Sequence, residues 1–153
     1  MDIGHAANAQ VIAHLSARRA QAPPLADPDS VELPYYRLGS HPDIVERVWD
    51  DLGVLLPSDA RKIVCGTPGL VHPESGVIFA LAYGTRYVLR LPGELAEEAV
   101  RAGAPTLMRW SGGEETNARE ALGEGWVFGA WLNQEPEWLQ QAYDIVGEPG
   151  FGS

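Results

Sequence analysis

Residues 76–94, GVIFALAYGTRYVLRLPGE, constrain this chain more than any other stretch. Two runs rich in β-branched and aromatic residues flank Gly84-Thr85, and a two-residue loop with glycine first suits a type II′ hairpin. So short a loop fixes the register. Tyr83 then faces Arg86, Leu81 faces Val88 and Phe79 faces Arg90. On the other face Ala82 meets Tyr87, Ala80 meets Leu89 and Ile78 meets Leu91. That second face is apolar throughout and pairs small side chains with large ones, so it is the face to bury beneath helices. The first face carries two arginines, whose stems can lie over aromatic rings while the charge stays in water. The expectation is a sheet covered on one side and open on the other.

The rest of the chain is read outward from this hairpin. Ser40-His41-Pro42-Asp43 reads as a helix start, Ile44, Val45, Val48, Trp49 and Leu52 repeat at helical spacing, and Gly53 ends the run. Strands are expected over 60–65 and 69–71, joined to the hairpin by a turn at 72–76. Downstream the pattern predicts a helix over 94–102, a strand over 105–110 and a Glu- and Gly-rich loop over 111–125 with one helical turn at 117–122. A strand over 126–132 and a helix over 136–146 follow. Upstream lie a helix over 6–19, the Pro- and Asp-rich linker QAPPLADPDS, and an edge segment over 31–38 whose Pro34 excludes a central strand. The order reads as α+β, an antiparallel meander sheet with helices packed on one face plus an N-terminal helical and extended arm. Residues 1–40 form the arm, 41–147 a single α+β domain and 148–153 a loose tail.

Charge narrows the function classes. Eleven basic residues stand against twenty-one acidic ones, a net charge of −10. Eight basic and ten acidic side chains fall before residue 91, and three basic and eleven acidic ones after it. Nucleic-acid binding draws its affinity from Lys and Arg on phosphates, so it is disfavoured in a chain whose single lysine is Lys62. The lone cysteine, Cys65, excludes an internal disulfide and fits a reducing cytosol. The N-terminal residues lack the basic start and apolar core of a secretory signal, and the apolar run 77–83 is too short to span a bilayer. A cytoplasmic protein without a membrane segment is expected.

Motifs that carry chemistry are few. Cys65 needs a base to act as a nucleophile, and His41 or His72 could supply one in space. The bland reading is a buried thiol filling the core. The histidines at 5, 14, 41 and 72 show no metal-ligand spacing. Cys65-Gly66-Thr67-Pro68-Gly69 lacks the Lys and Ser/Thr of a phosphate loop and reads as a turn. The tryptophans at 126, 131 and 138 could form a ligand cage, though such residues are more often core. No catalytic residue, metal or cofactor is expected.

Three groups of residues carry a resemblance. They are Arg61-Lys62 with Gly66, Gly69 and Leu70; Gly76 with Phe79-Ala80-Leu81; and Tyr87 with Leu89-Arg90-Leu91. In this pattern the chain resembles the N-terminal domain of TfoX-type competence regulators. Trp126-Val127, Glu137-Trp138-Leu139 and Ala142-Tyr143 look like the end of the related YjbR (MmcQ) domains. Ile63-Val64-Cys65 stands where that family commonly has Met-Phe before the glycine. The resemblance spans about residues 42–145 and implies a small α+β domain of DNA-binding type without established catalytic residues.

The reading that follows is a non-enzymatic regulatory domain that binds a protein partner or a second copy of itself. Its expected surface is the open sheet face with Phe79, Tyr83, Arg86 and Arg90, because aromatics and Arg are enriched in interfaces. The alternatives are a DNA-binding transcription or competence regulator and a small-molecule enzyme using Cys65.

Overall fold

In the computed structural model, which describes residues 1–19, 21–30, 40–109 and 115–152, the hairpin forms in the expected register. Strand β4 (Ile78–Tyr83) pairs antiparallel with β5 (Arg86–Arg90), with Tyr83 opposite Arg86, Leu81 opposite Val88 and Ala80 opposite Leu89. Gly84 takes φ 72°, as the first loop position of a type II′ turn requires.

The hairpin is the centre of a six-stranded antiparallel sheet ordered β1-β2-β3-β4-β5-β8. Its other strands are β1 (Leu25–Ala26), β2 (Arg61–Val64), β3 (Thr67–Val71) and β8 (Trp126–Phe128). Strands β6 (Leu107–Arg109) and β7 (Glu115–Asn117) pair with each other in a separate ribbon. The chain is α+β, as the order of elements suggested, and its helices pack against the sheet.

Cys65 does not extend a strand. Cys65-Gly66 is the two-residue loop between β2 and β3, with both residues at positive φ (49° and 78°). That is the signature of a type I′ turn, in which a non-glycine first residue is strained.

On one face lie helix α2 (Pro42–Glu46), the π-helical segment Arg47–Leu52 that continues it, and helices α3 (Leu95–Arg101) and α5 (Glu135–Val146). Val45, Val48, Trp49, Leu89, Leu139 and Val146 are all buried in this layer. Proline opens α2, and the His41 ring caps it by accepting from the Asp43 N–H at 3.1 Å. The Ser40 hydroxyl donates to the Ala82 carbonyl at 2.6 Å, which ties the helix start to β4.

The opposite face, expected to be open, is covered. Helix α1 (Ala9–Arg18) buries Val11 and Leu15 there, and α4 (Ala118–Leu122) adds Ala118 and Leu122. They pack on Leu81, Val88, Trp126 and Phe128. Burying Val11 and Leu15 contributes about 1.5–3 kcal/mol each, which favours docking this part of the N-terminal arm over leaving it in water. Asn8, fully buried, joins the layers. Its side chain donates to the Gly76 carbonyl at 2.7 Å and accepts from the Ile78 N–H at 2.9 Å.

One local break alters the face assignment. Leu70 pairs with Ala80 but Val71 pairs with Ile78, so β4 has one residue more than β3 there. That bulge turns Phe79 into the α5 layer, against Tyr143, and sends Ile78 to the α1 layer. The edge segment read over 31–38 and the loop residues 110–114 lie outside the described residues.

Candidate functional site

The four residues read as a sheet-face surface do not form one. Phe79 is fully buried, and Tyr83 and Arg90 are 5% exposed, leaving only Arg86 in solvent. Helix α1 closes over Tyr83. The Arg18 guanidinium sits 4.2 Å above its ring, and its hydroxyl lies 2.6 Å from His14 Nε2. Arg90 reaches under the arm instead of out to water, where Nη2 donates to the Ala7 carbonyl at 2.6 Å.

A different constellation stands at the start of α5. Glu135 is the first residue of that helix and is 1% exposed. Its Oε1 accepts from the Tyr87 hydroxyl and from Arg47 Nη2 at 2.9 Å, and its Oε2 accepts from the Ala130 N–H at 2.9 Å. The Tyr87 oxygen in turn accepts from the Trp131 N–H at 2.8 Å. A buried carboxylate is tolerable only when paired and hydrogen-bonded in this way. Burial, then the bond to Glu135, holds the Tyr87 hydroxyl well above the ordinary phenol range. Burial lowers the Arg47 pKa, but its bonds to Tyr87 and Glu135 outweigh that and leave it raised. Gly129 lets the loop lie this close, since a Cβ there would stand 1.8 Å from the Tyr87 ring.

The network fixes an unusual residue above it. Trp131 takes φ 57°, a conformation that costs a bulky side chain about 1–3 kcal/mol, and it is 49% exposed. Its indole lies 5.0 Å from the Arg47 guanidinium carbon and 5.5 Å, edge-on, from the Tyr87 ring. The other two tryptophans of the imagined cage are core residues of opposite layers, Trp126 on the α1 side and Trp138 on the α5 side.

The helical stretch that carries Arg47 is acidic on its exposed side. Asp43, Glu46, Asp50 and Asp51 are all exposed along α2 and the π-helical segment, and Asp51 is 3.7 Å from Arg47. Beside them a cleft of about 1030 Å³ has Trp49, Glu46, Asp50, Asp27 and Asp59 in its walls. The cations of the cleft are engaged, Arg61 with Asp50 at 3.0 Å and Lys62 with Asp27. A π-helical turn often marks a functional segment, and this one presents Arg47, Asp50 and Asp51 together.

Cys65 is buried, with Sγ 3.5 Å from Ser16 Oγ and 4.0 Å from the Pro24 carbonyl. His41 and His72 are committed to local turns, where their Nδ1 atoms accept from the N–H groups of Asp43 and Glu74. Among the described residues no three His, Cys, Asp or Glu side chains converge as a metal site, and no helix is long and apolar enough to cross a membrane. No family model, curated protein or solved structure matches the chain.

Arg47 and Glu135 had no distinctive sequence signal. An acid in the first turn of α5 reads as an ordinary partner of the helix dipole. Only the fold reveals that it is buried beneath a loop.

Proposed function

We propose that this chain is a non-enzymatic, cytoplasmic binding domain that docks a basic protein through the Trp131 platform and the acidic face of α2. The observation that carries the reading is Trp131 itself, held half-exposed at positive φ by a buried hydrogen-bond network. Strain of that kind persists where the surroundings over-determine it, and it clusters at binding sites. A Trp beside an Arg is also the composition of an interface anchor.

Charge selects the partner. Asp43, Glu46, Asp50 and Asp51 are exposed on the helical stretch that carries Arg47, and Asp51 lies 3.7 Å from that guanidinium. A chain of net charge −10 repels a second copy of itself, so the reading favours a basic partner with an apolar pocket over self-association. The competing reading, a TfoX- or YjbR-like DNA-binding regulator, relies on Arg61, Lys62, Arg86 and Arg90. Two of these are paired with carboxylates and Arg90 is buried, which argues against a phosphate-binding patch.

Two measurements separate the readings. A duplex titration from about 50 to 200 mM salt spans the range over which phosphate-driven affinity falls steeply. No submicromolar binding is expected at the upper salt, and finding it would replace the protein-docking reading. In parallel, capture from extract of the native cell is compared between wild type and Asp43→Asn/Glu46→Gln/Asp50→Asn. The expected partner is basic and is lost with the three charges. Equal recovery on both would reject the acidic face as the docking site.

A further inference from the structure

We infer that His72 and His5 form an acid-operated latch on the N-terminal arm, which holds helix α1 on the sheet while both rings are neutral and frees it when they are protonated. The latch is separate from the Trp131 platform. Its centre is Asn8, the fully buried side chain that joins the arm to the sheet. Asn8 donates to the Gly76 carbonyl at 2.7 Å and to the Ile3 carbonyl at 2.9 Å, and it accepts from the Ile78 N–H at 2.9 Å. Gly76 lies so close to the arm that a Cβ there would stand 1.8 Å from the Asp2 carbonyl oxygen. The junction needs two pieces of backbone held in place, the turn 72–76 on one side and Ala6–Asn8 on the other.

An imidazole nitrogen holds each piece. His72 Nδ1 accepts from the Glu74 N–H at 3.1 Å and the Ser75 N–H at 3.2 Å, and the His72 carbonyl accepts from the Gly76 N–H at 2.9 Å. His5 Nδ1 accepts from the Ala7 N–H at 3.0 Å, and its carbonyl accepts from the Asn8 N–H at 2.9 Å. Both neutral rings must therefore carry their proton on Nε2. A second proton goes to Nδ1 and turns that acceptor into a donor aimed at backbone N–H groups. The His72 ring has little room to swing aside. Tyr143 lies against it, 4.4 Å between ring centres, and a Cβ on Gly147 would stand 2.3 Å from Nε2. The charges facing His72 are Glu74 on its own turn and Asp144 on α5. Both favour the imidazolium, but burial outweighs them and lowers the pKa. The His72 cap is thus complete above pH 6.5 and is lost as the pH falls through the lowered value. Around His5, Phe151 presents an apolar ring 6.3 Å away, the Asp2 carboxylate accepts from the Gly4 N–H, and Arg90 bonds the Ala7 carbonyl. With both caps gone the Asn8 bonds lose their frame, and α1 uncovers Leu81, Val88 and Phe128.

Hydrogen exchange of the full chain, corrected for intrinsic rates, is followed at about pH 7.5 and about pH 5, towards the two ends of the histidine range. Protection of the Leu15 amide should fall about tenfold or more at the lower pH while that of Val88 in the hairpin is kept, the pattern of local opening. The control is His5→Asn/His72→Asn, in which an amide oxygen caps both turns at either pH and His14 is retained. It should hold α1 equally at both values. Should that variant fail to fold, the side-chain NH2 resonances of Asn8 in the wild-type chain should still move with the same midpoint as the His72 ring. Equal protection of wild type at the two pH values, joint loss at Leu15 and Val88, or opening of the double variant as wide as wild type would each overturn the proposal. So would Asn8 resonances that do not follow His72.

Discussion

The hydroxyl of Tyr87 donates to Glu135 and at the same time accepts the backbone N–H of Trp131. One phenol therefore links the centre of the sheet, the start of the last helix and the exposed loop between them. Tyr87→Phe should remove both bonds, and the longer one from Arg47 Nε at 3.4 Å, and leave Glu135 short of a donor, at a cost of about 1–3 kcal/mol. Denaturation midpoints check the cost, and a changed Trp131 indole resonance checks the loss of loop position. A midpoint equal to wild type would mean that the network is not what holds the loop.

The approach of that loop to the ring is too close for a side chain. A Cβ on Gly129 would stand 1.8 Å from the Tyr87 ring, which is 1% exposed and hemmed in. Gly129→Ala should destabilise by at least about 1–3 kcal/mol, the range for overpacking a filled core. Thermal unfolding reads this directly.

Burial sets a simple contrast elsewhere. Leu89 is 1% exposed at the centre of the α5 layer, whereas Glu115 is exposed and pairs with Arg109 on the surface. Leu89→Ala should cost about 2–5 kcal/mol and Glu115→Ala less than about 1 kcal/mol. Urea midpoints that fail to separate the two would contradict the layer assignment.

His14 supplies a pH dependence. Burial, with a smaller effect of Arg18, lowers its pKa below 6.5. The fold therefore disfavours the protonated ring, so its contribution to stability is complete above pH 6.5 and is lost as the pH falls through the lowered value. His14→Gln should flatten the stability curve below pH 6.5 relative to wild type. Parallel curves for the two proteins would show that His14 contributes nothing to this slope.

The hairpin was legible because Gly84-Thr85 permits one pairing, and the register from Tyr83–Arg86 to Ala80–Leu89 follows from it. What lay beyond the pairing was not legible. The bulge that turns Phe79 depends on its mismatch with β3, which no local pattern announces. The alternation of arginines along β5 suggested an open face, but the amphipathic pattern of α1 does not say which surface it covers. Arg90 stayed on that face and was buried there under the Ala7 carbonyl. Composition alone groups Trp131 with two core tryptophans, because it cannot distinguish a residue at positive φ from one in a strand. The turn within 65–69 is legible, but its two-residue form at Cys65-Gly66 is not, since a cysteine at φ 49° is an unusual occupant of a tight turn.

The most direct test of the docking account is the substitution Trp131→Asn. Asparagine tolerates positive φ and keeps the N–H that Tyr87 accepts, so stability should stay within about 1 kcal/mol of wild type. The basic partner recovered with the wild-type chain is purified and titrated against both proteins by calorimetry. The account predicts an affinity at least a hundredfold weaker for the variant at an unchanged melting temperature, in line with the loss of a central anchor. Unchanged affinity, with or without a fall in melting temperature, would show that Trp131 belongs to the fold and not to an interface.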